Sequence, residues 1–187
     1  MSAITLKHTL KTLVALLLIG LLSACDGNNE LMNQAITGDA QEARALLSQG
    51  VDVNARNNYR WTALMHAARQ NHTDVISLLI AAGAEIDAQD DRGWSALMRA
   101  ASKGHVEAIK LLLGAGAQIE LADNNGWTPL LWAVNQGNPE AVKVLIDSGA
   151  NINVESKDGR TPLRVARQEN FQEIIELLEQ ARSAQEK

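Results

Sequence analysis

Trp61-Thr-Ala-Leu-Met-His-Ala-Ala, Trp94-Ser-Ala-Leu-Met-Arg-Ala-Ala, Trp127-Thr-Pro-Leu-Leu-Trp-Ala-Val and Arg160-Thr-Pro-Leu-Arg-Val-Ala-Arg recur every 33 residues, and this recurrence decides the fold. The same period runs through Leu31, Leu64, Leu97, Leu130 and Leu163, and again through Leu46, Leu79, Leu112, Leu145 and Leu178. Gly50, Gly83, Gly116 and Gly149 make a further ladder at that spacing. Several independent ladders sharing one period are the mark of a repeat array.

The chemistry within one unit explains which residue types recur. Thr or Ser can cap a helix through its side-chain oxygen, and Pro129 and Pro162 fall at the first helical position, where a missing N–H costs nothing. A first helix is therefore expected to begin near residues 62, 95, 128 and 161. Leu64, Ala67 and Ala68 stand at i, i+3 and i+4, giving an apolar face whose alanines admit a close neighbour. Gly104 and Gly137 then break the chain, with Asn71 and Asn170 in the same slot, asparagine being the next residue most able to turn left-handed. A second helix follows with Val75, Ile76, Leu78, Leu79 and Ile80, and Gly83 suits the left-handed position past its end. Helices this short are marginal alone, so each pair must stack on the next.

Each opening resembles the Thr-Pro-Leu-His-x-Ala-Ala signature of ankyrin repeats. Gly50-Val-Asp-Val-Asn-Ala, Gly83-Ala-Glu-Ile-Asp-Ala, Gly116-Ala-Gln-Ile-Glu-Leu and Gly149-Ala-Asn-Ile-Asn-Val resemble the same family's finger segment. A tetratricopeptide array is the nearest rival, but its units are about 34 residues long and carry no finger. The resemblance implies an all-α ankyrin-repeat solenoid of helix-turn-helix units joined by β-hairpin fingers. Repeats are expected at 57–89, 90–122 and 123–155, with a carboxy-terminal capping repeat at 156–182 and a tail at 183–187. Residues 30–56 lack the Thr-Pro-Leu opening and read as an amino-terminal cap. Arg164, Arg167 and Glu179 replace apolar residues of the earlier units, as a solvent-facing last repeat requires.

Residues 1–24 read as an export signal. Lys7 and Lys11 precede an apolar run from Leu13 to Leu22. As a helix that run reaches about 15 Å, half of a ~30 Å hydrocarbon core, so it is too short to span. Leu22-Ser23-Ala24-Cys25 resembles the lipobox of bacterial lipoproteins. That resemblance implies acylation of the Cys25 thiol, cleavage before it, and a protein anchored to the cell envelope by lipid. The alternative is an ordinary cysteine near a cleavage site. Asp26 resembles the signal that keeps such lipoproteins at the inner membrane. Residues 25–29 form a short tether, and Asp26 to Asn29 reach at most about 15 Å, holding the solenoid close to the membrane on its periplasmic side.

The 187 residues are 46% hydrophobic, 21% charged and 3% aromatic, with a formal charge of −5. That balance fits one globular domain and disfavours nucleic acid and anionic lipid surfaces. One cysteine excludes both an internal disulfide framework and a Cys-rich zinc site.

In the ankyrin family, binding side chains come from the finger tips and the inner-helix surface. Carried over by position, these are Trp61, Trp94, Trp127 and Arg160 at the first-helix start. Tyr59 and Arg92 come from the tips, with Asn58, Asp91, Asn124, Asn125, Lys157 and Asp158 beside them. Arg69 and Lys103 come from the helix end, and Trp132 lies one turn into its helix, in the slot also held by His66, Arg99 and Val165. Two readings of the tryptophans stay open: they pack on one another, or they anchor a partner. His72 and His105 read as turn-satisfying rings, and Asp90, Asp91, Glu173 and Glu176 as solvated acids rather than catalytic pairs. No phosphate loop, zinc-protease or nucleophile-elbow motif occurs. The expectation is a non-enzymatic binder of one protein partner, without cofactor, metal or small-molecule substrate. It acts as an adaptor for an envelope enzyme, with an immunity-type inhibitor of a toxin or effector as the alternative and an enzyme in its own right as the third reading.

Overall fold

The computed structural model describes residues 27–185. The export signal, Cys25 and Asp26 lie outside the described residues. Ten helices are present among them, in five pairs: α1 (Glu30–Thr37) with α2 (Ala40–Ser48), α3 (Ala63–Gln70) with α4 (Thr73–Ala81), α5 (Ala96–Lys103) with α6 (Val106–Gly114), α7 (Pro129–Asn135) with α8 (Pro139–Asp147), and α9 (Pro162–Gln168) with α10 (Gln172–Gln185). The first members of the pairs pack in series as an inner row, and the second members form an outer row.

The caps follow from the repeated residues. The Thr62, Ser95, Thr128 and Thr161 side chains accept from the N–H three residues on, in Met65, Met98, Leu131 and Arg164. Pro129 and Pro162 occupy the first turn. Asn71, Gly104, Gly137 and Asn170 all take the left-handed conformation that ends the inner helix and turns the chain back. The last helix runs through to Gln185, so residues 183–185 are helical rather than a separate tail.

The core follows the same registers. Ala67, Ala68, Ala100, Ala101 and Ala133 are fully buried between inner helices, where a larger side chain would push the rows apart. The outer row contributes Ile76, Leu79, Ile109, Leu112 and Leu145, all fully buried, each worth roughly 2 kcal/mol of apolar transfer. Polar ladders tie one repeat to the next. Asn54, Asp87 and Glu120 side chains accept from the backbone N–H of Glu85, Gln118 and Asn151. The His72 and His105 rings meet the carbonyl oxygens of Ile36 and Arg69 at 3.1 and 3.0 Å, and Asn138 donates to those of Ala101 and Ser102.

The fingers differ from the expected β-hairpins. No strand is assigned among the described residues. Each finger is a tight turn closed by two backbone bonds, as from Asp90 N to Trp94 O at 3.1 Å and from Gly93 N to Asp90 O at 2.9 Å. The reason lies at its base. Asp90 Oδ1 accepts from the N–H groups of Arg92 and Trp94, so a side chain takes bonds that a second strand would otherwise supply. Asn57 and Asp123 do the same one repeat to either side. Neighbouring fingers are joined tip to tip by Asp91 N to Tyr59 O, Asn124 N to Arg92 O and Lys157 N to Asn125 O.

Candidate functional site

The inner helices and fingers together carry a continuous ribbon of stacked side chains. Its members come alternately from the first residue of each Trp-Thr/Ser opening and from the slot one turn into the inner helix. His66 stacks on Trp61 at 4.8 Å between ring centroids. The Arg99 guanidinium lies 3.8 Å from the Trp61 ring centroid and 4.3 Å from that of Trp94, filling the space between two repeats. Trp132 repeats that insertion one unit on, 4.1 Å from Trp94 and 4.8 Å from Trp127. Arg69 reaches over Trp61 at one end, and Arg160 over Trp127 at the other.

Buried polar residues at the finger bases hold the inserted side chains. Asp90 is 7% exposed, and its Oδ2 forms an ion pair with Arg99, while Oδ1 caps the finger. Asp123 is equivalent: Trp132 Nε1–H donates to its Oδ2 at 3.1 Å. The reading of Asp90 as a solvated acid is therefore corrected. It is buried because its two oxygens accept from three groups, the backbone N–H of Arg92 and of Trp94 and the Arg99 guanidinium. Asp91, Glu173 and Glu176 are exposed as expected.

The electrostatics of this end are set by its arginines. Burial pushes His66 down to about 4, helped by the charges of Arg69 and Arg99, so its ring is neutral at neutral pH. Its Nε2 is buried without a hydrogen-bond partner. Burial also pushes Arg99 down to about 10, with Arg69 and Arg92 adding repulsion and Asp90 opposing it; Arg99 stays charged at neutral pH. At the far end the Ser156 hydroxyl, donating to Asp158, holds that carboxyl below its ordinary value, with Arg160 assisting.

Two clefts open on this ribbon. One, of about 380 Å³, has Tyr59, Trp61, His66, Arg69, Arg92 and Arg99 in its walls. The other, of about 410 Å³, lies two repeats on between Trp127, Trp132, Lys157, Asp158 and Arg160. Of the residues expected to bind a partner, Tyr59, Trp61, Arg69 and Arg92 are thus brought together, and Trp127, Trp132 and Arg160 are brought together separately. Trp94 belongs to the ribbon between them, and Lys103, exposed at the end of α5, lines neither. Trp127 is buried, whereas Trp61, Trp94 and Trp132 are half-buried and Tyr59 is 53% exposed. Trp94 and Trp127 therefore pack on Trp132, and Trp61 packs on His66 and Arg99.

Sequence reading missed Arg99, Asp90 and Asp123 as a linked set. A signal was present: the finger base and the slot stand nine residues apart in each unit, as Asp90 with Arg99 and Asp123 with Trp132. In these two units an acceptor at one place is matched by a donor at the other. Neither cleft holds a nucleophile aligned with a base, and no group of three or more His, Cys, Asp or Glu side chains that could hold a metal ion occurs among the described residues.

The fold and groove define a class, a stacked helical-repeat solenoid with finger turns along one edge. Four overlapping stretches, 1–90, 31–123, 78–156 and 97–185, match the family model for ankyrin repeats in three copies, and the chain belongs to that family. It is 47% identical over 49 residues to a mitochondrial disaggregase of Bos taurus, covering 26% of this chain and 7% of that protein. To the mitochondrial disaggregase of Homo sapiens it is 38% identical over 69 residues, 36% of this chain and 10% of that one. To ankyrin repeat domain-containing protein 40 of Mus musculus it is 38% identical over 60 residues, 32% of this chain and 16% of that one. The matches thus span a small part of each relative's length. Ankyrin repeats are modules of protein–protein interaction.

Proposed function

We propose that the chain is a non-enzymatic, lipid-anchored protein of the bacterial envelope that holds one protein partner in its groove, as an adaptor or support for an envelope enzyme. The observation that carries the groove is the stacked ribbon, which fixes aromatic edges and arginines in two clefts at little further entropic cost on binding. Support for the anchor is the order of basic residues, apolar run and Leu22-Ser23-Ala24-Cys25 ahead of the solenoid. Two or more acyl chains at Cys25 give stable membrane attachment, because each buried methylene contributes about 0.8 kcal/mol. No helix among the described residues is long and apolar enough to cross a membrane.

The test has two parts. Cys25→Ala is expected to move the protein from the membrane pellet to the soluble fraction, and retention in the pellet under high salt contradicts lipidation. The full chain and a Tyr59→Ala/Arg92→Ala/Lys157→Ala variant, all changed at exposed positions, are then used to capture partners from envelope extract. Loss of one partner from the variant supports the groove, and equal capture contradicts it. Unchanged or raised activity of a captured enzyme marks an adaptor, whereas stoichiometric inhibition marks the immunity-type inhibitor.

A further inference from the structure

We propose that the cleft between the first two complete fingers receives a carboxylate from an acidic segment of the protein partner, held by Arg69 and Arg92 against the edge of Trp61. The proposal rests on the groove being the protein-binding surface and adds the chemistry of what enters it.

The chain carries a formal charge of −5, yet Arg69, Arg92 and Arg99 converge on this one cleft. Two carboxylates belong to its walls, and Asp90 is already taken by Arg99. Among the described residues Asp91 forms no ion pair, and neither Arg69 nor Arg92 has a carboxylate within ion-pair distance; Arg69 lies over the Trp61 ring instead, 5.6 Å from its centroid. The cations repel one another, which adds to the burial that chiefly lowers Arg99 and His66, and the neutral His66 ring contributes no compensating negative charge. An incoming anion relieves that repulsion, and guanidinium groups beside an aromatic wall suit a planar carboxylate with an apolar neighbour. The equivalent cleft two repeats on holds no arginine without a carboxylate: its Arg160 is paired with Asp158 at 2.7 Å, and its remaining cation, Lys157, donates to the Asn124 carbonyl oxygen. The three arginines thus sit together in one interval of an acidic protein. That favours a short acidic protein segment over a long polyanion, which would meet the remaining acidic surface.

The test titrates an oligoglutamate peptide into the full chain, read by the anisotropy of a labelled peptide and by tryptophan emission. Saturable binding is expected, with none for oligolysine. In the Arg69→Ala/Arg92→Ala variant the affinity is expected to fall about tenfold or more at an unchanged melting temperature. Absence of saturation, or equal affinity in the variant, overturns the proposal. Tighter binding of a single-stranded oligodeoxynucleotide than of oligoglutamate also overturns it, in favour of a phosphate. A native partner that still crosslinks to the groove in the Arg69→Ala/Arg92→Ala background leaves the groove reading standing and rejects the carboxylate.

Discussion

Arg99 concentrates most of the physics of the groove in one side chain. It fills the interval between two tryptophans, neutralises the buried Asp90 and links the second repeat to the first. Its side chain is 13% exposed and that of Asp90 is 2% exposed, so removing the cation leaves a carboxylate with little access to water. Arg99→Ala is expected to cost about 3 kcal/mol in denaturant unfolding, and Asp90→Asn in the same background should restore part of it. A change below about 0.5 kcal/mol would contradict the account, since surface pairs are worth that little. His66 gives a pH signature. Its folded value of about 4 lies below the ordinary 6.5, so the unfolded chain binds the extra proton as pH falls through that interval. Stability is fully present above 6.5 and is lost toward 4, by about 3 kcal/mol in total. Melting of a His66→Phe variant against pH is expected to lack this slope.

At the level of elements, the helices were legible because each is set by local chemistry that repeats. The Thr62, Ser95, Thr128 and Thr161 caps, the proline at the first turn and the left-handed Asn or Gly at the end are all visible in one unit. The fingers were less legible, because their closure depends on a buried side chain competing with a strand partner, and that competition is tertiary. One position in them is anomalous. Arg60 adopts φ 61° where the other repeats place Gly93, Gly126 and Gly159. A Cβ at Gly93 would stand 2.7 Å from the Asn124 backbone nitrogen. The first tip-to-tip bond, Asp91 N to Tyr59 O, is correspondingly longer at 3.3 Å than the 3.1 and 3.0 Å of the next two. Gly93→Ala is therefore expected to destabilise by about 2 kcal/mol, and Arg60→Gly to be neutral or stabilising by up to about 1 kcal/mol, both by thermal melting.

Across the whole molecule, the ribbon joins four repeats, from Trp61 to Arg160, through side chains rather than backbone. Trp94 is held on both sides, so Trp94→Ala is expected to lower stability by about 3 kcal/mol and to broaden the unfolding transition as the two ends uncouple. For the same reason a tryptophan variant is a poor probe of binding, and exposed neighbours such as Tyr59 and Arg92 serve better. The period and the order of repeats could be read from the chain alone. The pairing of Arg99 with Trp61, 38 positions apart, required the stack. The central claim, that the groove is the surface for a protein partner, is tested most directly by photocrosslinking in intact cells. A benzophenone side chain placed at position 59 or 125, in the groove, is expected to capture one partner, and the same group at Ser77, exposed on outer helix α4, to capture none. Capture from position 77 with nothing from 59 or 125 would contradict it.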